Sequence, residues 1–164
     1  MQILAIGDLH LGHKNITKFR TEFSSVKEHD DCILDNLSII SKRNLVWFLG
    51  DVAFDKTSLN LLSKLPFRKR LILGNHDLSK DITMQDLIQV YEQIDSLVSY
   101  KNTWISHCPI HPDEIRNRCI NIHGHTHSHI INDCRYVNLS AENIKYTPVD
   151  LIHLISEIKN FLRF

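Results

Sequence analysis

The stretch QILAIGDLH, residues 2–10, runs from a short apolar segment into a glycine, an aspartate and a histidine. An apolar segment of this length that stops at a glycine turn is typical of a buried β-strand. The pattern recurs at four further places: LVWFL at 45–49 before Gly50-Asp51, RLIL at 70–73 before Gly74-Asn75-His76-Asp77, TWIS at 103–106 before His107, and CINIH at 119–123 before Gly124-His125-Thr126-His127. This repetition predicts layers of buried strands with polar residues at the strand ends.

Segments with helical periodicity lie between and after these strands, which favours the α/β class. Ser25 is placed to cap a helix that carries its apolar residues at helical spacing, namely Ile33, Leu34, Leu37 and Ile40. Residues 57–64 and 83–91 are weaker helix candidates, and residues 135–139 are a further strand candidate. Thr147-Pro148 predicts the start of a last helix, whose apolar positions from Leu151 to Leu162 are broad enough to cover a sheet face.

Length and composition limit the class of protein. The 164 residues fit one domain, and 43% hydrophobic against 23% charged residues is typical of a globular chain with a real core. We therefore predict one compact domain over residues 1–164, without a cap domain. The apolar runs are far shorter than the roughly 20 residues that cross a bilayer, so no membrane partner is expected. The chain starts without a basic leader, which favours a cytoplasmic location and reduced cysteines.

The charge balance bears on the partners that the protein can have. Nineteen basic residues match nineteen acidic ones, and the formal net charge is zero. An extended nucleic acid is therefore not an expected partner, because affinity for its phosphates comes mainly from cationic charge. Eleven histidines are the unusual feature of the composition. His29 and His153 lie on predicted helices and are expected to be solvated, and Cys108 is expected to be a small buried residue.

Side chains that bind metal ions follow all five strands. Ligands of open α/β sheets bind beyond the carboxyl ends of the strands, so these turns are expected to meet at one site. Carboxylate, amide and imidazole donors without thiolate suit two ions such as Mn²⁺, Fe, Zn²⁺ or Ni²⁺. The candidate ligands are Asp8, His10, Asp51, Asn75, His107, His125 and His127. His111 competes with His107, which we prefer because it directly follows the apolar part of its strand.

The ordered set GDLH, GD, GNHD, a single histidine and GHTH, over residues 7–127, resembles the calcineurin-like metallophosphoesterase superfamily. The segment NLSAE at 138–142 resembles the strand that follows in compact bacterial and phage members. The resemblance implies a four-layer α-β-β-α sandwich that hydrolyses a phosphate ester with a hydroxide held between two divalent metal ions, for which we expect manganese.

The resemblance also implies a role for each residue of the motifs. One ion would be held by Asp8, His10, Asp51 and His127, and the other by Asp51, Asn75, His107 and His125. His76 would contact the phosphate and protonate the leaving oxygen, which is a general-acid task suited to imidazole. Asp77 would orient His76.

Candidate substrate-binding residues lie in two loops. Residues 12–16 resemble a segment of short phage-like members, and the loop after His107 contains two arginines that could clamp a phosphate oxygen. The candidates are His13, Lys14, Asn15, Arg20, Arg116 and Arg118.

The expected substrate is a small, nucleotide-type phosphodiester, because the site lacks a cap and the chain resembles small phosphodiesterases. A phosphomonoesterase or small nuclease of the same fold is the alternative, and a catalytically silent, metal-stabilised binding module is the alternative from another class. His10 and His76 favour an enzyme, since members that have lost catalysis commonly replace such histidines. One departure is Phe54, where larger members carry an acidic residue. The apolar last helix is a candidate homodimer interface.

Overall fold

The computed structural model describes residues 1–118 and 120–162. Cys119, the first residue of the predicted strand 119–123, lies outside the described residues. In chain order the strands are β1 (Ile3–Ile6), β2 (Leu45–Phe48), β3 (Arg68–Ile72), β4 (Gln93–Asp95), β5 (Leu97–Tyr100), β6 (Thr103–Ser106), β7 (Asn121–His123), β8 (Tyr136–Asn138) and β9 (Val149–Asp150). The helices are α1 (Val26–Ser38), α2 (Lys56–Ser63), α3 (Met84–Leu87), α4 (Pro112–Ile115) and α5 (Leu151–Leu162).

The strands form two sheets. The first has the order β4-β3-β2-β1-β9, in which β1 to β4 are parallel and β9 is antiparallel to β1. The second has the order β5-β6-β7-β8, in which β6, β7 and β8 are parallel and β5 is antiparallel to β6. Parallel strands point their carboxyl ends the same way, so each sheet brings several strand ends to one edge.

Helices α1 to α3 cover one face of the first sheet. Ile33 and Leu37 of α1, together with Leu59 of α2, pack in one core with Ile6 and Phe48. The start of α1 is as predicted, because the Ser25 hydroxyl accepts the Glu28 backbone N–H at 3.1 Å.

The opposite face of the first sheet packs on the second sheet. Ala5 and Trp47 of the first sheet share a core with Ile105 and Ile122 of the second, and Leu151 and Ile155 of α5 extend this core. The chain after β6 covers part of the outer face of the second sheet, since the Tyr136 hydroxyl donates to the Ile110 carbonyl at 2.7 Å. The α/β class and the two-sheet sandwich predicted from the sequence are confirmed. Among the described residues, no helix is long and apolar enough to cross a membrane.

Several elements differ from the sequence prediction. Strands β4, β5 and β9 were not predicted, and the helix candidate 83–91 is helical only over Met84–Leu87. Pro148 does not start the last helix directly, because Val149–Asp150 first pairs with β1. Strand β3 begins at Arg68, two residues earlier than predicted. These elements are short. β4 and β9 depend on pairing with strands far away in sequence, whereas β5 forms a hairpin with β6.

Candidate metal centre

The turns that follow β1, β2, β3, β6 and β7 meet where the two sheets lie together. The Asp8 backbone N–H donates to the Gly50 carbonyl at 3.0 Å, and the His10 N–H donates to the Asp51 carbonyl at 3.0 Å. The His125 N–H donates to Asp8 Oδ2 at 2.8 Å. Gly124 permits this approach, because a Cβ atom there would collide with Asp8 Oδ2. The convergence that the sequence predicts is therefore present in the fold.

Five of the seven candidate ligands have a backbone in the left-handed region, with φ between 50° and 67°; they are Asp8, His10, Asp51, His125 and His127. This conformation is uncommon for residues other than glycine and is costly. Such residues concentrate at functional sites, where the surrounding structure holds them in place. The hydrogen bonds between neighbouring turns supply that support here.

The structure brings the predicted ligands together in two groups. Asp8, His10 and His127 offer ligand atoms that all lie within 4.8 Å of one another, as do Asp8, Asp51 and His107. Asp51 Oδ2 lies 3.9 Å from His10 Nε2 and 3.5 Å from His107 Nε2. Asp8 belongs to both groups, and Asp51 of the second group lies close to one histidine of each, where a shared ligand is expected.

The second group is built around His107. Its Nδ1–H donates to the Leu49 carbonyl at 2.7 Å, which turns Nε2 toward Asn75 Oδ1 at 2.9 Å and His125 Nδ1 at 3.1 Å. The competing candidate His111 is exposed and caps α4, accepting the Asp113 backbone N–H at 3.3 Å. The structure therefore favours His107 over His111 as the member of this cluster.

The chemistry of the donor set fits divalent cations. His10 Nε2 is buried and has no hydrogen-bond partner in the described part of the chain. An unpartnered buried ring nitrogen is costly unless a ligand satisfies it. Burial lowers the pKa of His10 to about 2 and also lowers the pKa of His125. Both rings are therefore neutral at physiological pH, as metal ligation requires.

Asp8 is a buried carboxylate at the same place. Burial raises its pKa to about 6, against the opposing effects of His107 and of the His125 N–H. The Ser140 hydroxyl, itself fully buried, donates to Asp8 Oδ2 at 2.9 Å. A cation beside this carboxylate would favour its ionised form.

Glu142 contacts His127, a member of the first group of candidate ligands, although the sequence predicts no role for Glu142. Its Oε1 accepts the Nδ1–H of His127 at 2.9 Å, and its Oε2 accepts Arg20 Nη2 at 2.6 Å. Burial alone would raise the pKa of Glu142, but the bond from His127 and the charge of Arg20 lower it to about 2. The carboxylate is therefore ionised and fixes the ring of His127, leaving the other ring nitrogen for a ligand. The only sequence signal was the similarity of NLSAE to a family strand.

Arg20 lines the neighbouring cavity but is almost completely buried. It is 3% exposed. Its guanidinium donates to the carbonyls of Asp8 (2.6 Å) and Leu9 (3.1 Å), and Nη1 lies 2.8 Å from His29 Nε2. These partners and Glu142 occupy the guanidinium of Arg20, which was predicted only as a substrate-binding candidate. His29 is fully buried and not solvated, since it packs between Arg20 and Asp30.

Asp77 joins two turns of the site. Its carboxylate accepts the backbone N–H groups of Asp51 (3.0 Å), Val52 (2.8 Å) and Gly74 (2.7 Å). Within the described chain its hydrogen bonds go to these groups and not to the imidazole of His76, so the expected orienting contact is absent. His76 is exposed beside the cluster, and its backbone N–H donates to Asp51 Oδ1 at 2.8 Å.

The remaining substrate candidates fall into two sets. His13 and Asn15 line a cavity of about 750 Å³ beside the cluster, whereas Lys14 is exposed outside its lining. Arg116 pairs with Glu114 at 3.0 Å. Arg118 lies over the Trp104 ring at 5.2 Å, near the start of β6 and so away from His107 at its end. Neither arginine is in the lining of this cavity, and the phosphate-clamp role of both stays a prediction.

Cys108 differs from the expectation of a buried residue. It is exposed. Its sulfur atom and the ring nitrogens of His107 and His125 lie within 4.8 Å of one another. Burial of part of its surface raises the pKa of the thiol. The described cysteines Cys32, Cys108 and Cys134 are free thiols, as expected.

Comparison with known proteins agrees with this geometry. A gene 66 protein of Mycobacterium phage L5 is 32% identical, and the match covers 76% of each chain. The structure of AQ665, a protein of unknown function from Aquifex aeolicus, covers 94% of this chain and 98% of its own at 24% identity and a TM-score of 0.74. The nuclease MPE of Pseudomonas putida has the same fold at 16% identity and a TM-score of 0.53, covering 76% of this chain and 61% of its own. The family model described as calcineurin-like phosphoesterase matches residues 1–157. With its ordered motifs and grouped ligands, the chain belongs to the calcineurin-like phosphoesterase family.

Proposed function

We propose that the protein is a phosphodiesterase that uses two divalent metal ions, preferably Mn²⁺, to hydrolyse a small nucleotide-type diester. The observation that carries this proposal is the pair of ligand groups that share Asp8, with Asp51 close to a histidine of each group. A pair of divalent ions supplies a water nucleophile at neutral pH and neutralises charge that develops on a phosphoryl group.

In this proposal the protein's side chains supply a proton to the leaving oxygen and hold the metal ligands in position. His76 lies beside the cluster at the cavity wall, where its imidazole can give a proton to the leaving oxygen. Asp77 and Glu142 hold the turns and the ring of His127, so the ligands are positioned before substrate binds. The neighbouring cavity leaves room for the organic part of an ester.

We also propose a cellular location, a class of substrate and an oligomeric state. We place the enzyme in the cytoplasm, acting on a small molecule and not on an extended nucleic acid or a membrane, in line with the net charge of zero. Ile152 and Phe161 of α5 are exposed apolar side chains and support a homodimer through this helix. Light scattering of the purified protein reports its mass, and a monomer mass at high concentration would rule the dimer out.

The activity is tested with two chromogenic substrates. Protein loaded with Mn²⁺ should cleave bis-p-nitrophenyl phosphate faster than p-nitrophenyl phosphate, and Asp51→Asn should lose most of this activity. Asp81→Asn, an exposed carboxylate in the loop before α3, is the matched control and should retain it. Cleavage of the monoester alone would identify a phosphatase instead. If neither substrate is cleaved while both metals are bound, the binding-module alternative replaces the proposed enzyme.

A further inference from the structure

A cavity of about 750 Å³ opens directly beside the cluster of candidate metal ligands. His10, His76 and His127 form its inner wall, and the chain from His13 to Glu22 forms its outer wall. Cavities of this size accommodate small organic ligands. A phosphate at the cluster would leave most of this volume empty, so the cavity is suited to the group that is esterified to the phosphate.

Aromatic rings form much of the surface that such a group would meet. The Phe54 ring stacks on His10 with centroids 5.0 Å apart and lies 4.6 Å from His13 and 5.4 Å from His76. Phe19 lies 6.1 Å from His13 and is 75% exposed. Phe54 is half-buried, so part of its ring also remains accessible. Accessible rings at the wall of a cavity can stack on a flat ligand.

The charged side chains around the cavity balance and give no particular attraction for a second anionic group there. Arg20 is neutralised by Glu142 in a 2.6 Å ion pair. Glu22 adds a carboxylate, which accepts a hydrogen bond from the Tyr146 hydroxyl. Lys18 is the remaining cation of the lining, and it has no ion pair among the described residues. A polyphosphate would need several free cations, whereas an uncharged ring does not.

We propose that this cavity is a subsite for the nucleobase of a nucleotide ester, with Phe19 and Phe54 as the residues that determine its preference for a base. The proposal rests on the proposed function, since it assumes that the phosphate lies at the metal cluster. The base stacks on the accessible rings, while Asn15 and Lys18 at the lining offer hydrogen bonds to its polar edge.

The test compares two ligands that differ only in the base. Titration calorimetry with Mn²⁺-loaded protein measures the Kd of AMP and of ribose 5-phosphate. We expect AMP to bind about 5- to 150-fold more tightly, the range that base stacking on an aromatic side chain contributes. Phe19→Ala and Phe54→Leu should each reduce this ratio several-fold. Ile39→Ala, which removes a highly exposed apolar side chain outside the lining of this cavity, should leave it unchanged.

The outcomes separate this proposal from the proposed function. Equal Kd values for the two ligands, no measurable AMP binding, or a ratio unaffected by both cavity variants would overturn the subsite, even if diesters are cleaved. A base preference that depends on Phe19, in a protein that cleaves no phosphate ester, would keep the subsite and reject the enzyme.

Discussion

Glu142 contacts one candidate ligand and one buried cation, so a single carboxylate links His127 to Arg20. Glu142→Gln keeps an oxygen for the His127 N–H but removes the charge. Because such partners orient metal-bound histidines, we expect Mn²⁺ affinity to fall about 10- to 100-fold. Calorimetric titration with Mn²⁺ measures this change, with circular dichroism to check the fold. Glu114→Gln, which removes an exposed partner of Arg116, should bind metal like the wild type. Unchanged affinity in Glu142→Gln would show that this contact does not position His127.

His10 gives a prediction about pH. Its pKa is lowered by burial from 6.5 to about 2, so below pH 6.5 the unfolded chain binds a proton that the folded chain does not. Through His10, lowering the pH from 7.5 to 5.5 should therefore decrease the free energy of unfolding of metal-free protein by about 1 kcal/mol, whereas Asp8, whose pKa burial raises to about 6, acts in the opposite direction. Urea denaturation of wild type and His10→Asn in EDTA isolates the contribution of His10 as the change with pH in the difference between the two stabilities. A parallel profile for the two proteins would refute the assignment.

At the level of elements, Asp77 joins the turn after β2 to the turn after β3. It is 2% exposed and accepts three backbone N–H groups. Asp77→Asn leaves one carbonyl oxygen where two carboxylate oxygens accepted, so we expect a loss of about 1 to 3 kcal/mol in the free energy of unfolding. Urea denaturation of apo protein checks this value, and Asp81→Asn is the exposed control. A variant as stable as the wild type would mean that the turns are held without this carboxylate.

The sequence predicts elements well where a short apolar run ends in a turn. His107 could be placed because it directly follows such a run, and Asp51 because it follows one after Gly50. Arg116 and Arg118 could not, because α4 ends in a residue with φ of 51° and the chain then returns toward the start of β6. The role of Glu142 also depends on a contact with Arg20, more than a hundred residues away in sequence. Local patterns carry no information about such a pair.

At the level of the whole molecule, the candidate ligands come from both sheets. Asp8, Asp51 and Asn75 follow strands of the first sheet, and His107 and His125 follow strands of the second. Metal binding therefore links the two halves of the sandwich and should stabilise the entire domain.

Bound metal should raise the melting temperature of the protein. At a free Mn²⁺ concentration 100 times the Kd, binding to the folded state alone contributes about 2.7 kcal/mol. For a domain of this size that corresponds to an increase of about 5 to 10 °C. Scanning calorimetry with and without Mn²⁺ measures the shift, and Asp51→Asn should show a much smaller one. Equal shifts in both proteins would place the stabilising metal elsewhere.

The most direct test of the central claim is the number of metal ions that each chain binds. Protein dialysed against Mn²⁺ and analysed by elemental mass spectrometry should contain two ions per chain. Asp51→Asn should contain fewer, because this carboxylate lies close to His10 of one group and His107 of the other. Fewer than one ion per wild-type chain would contradict the account.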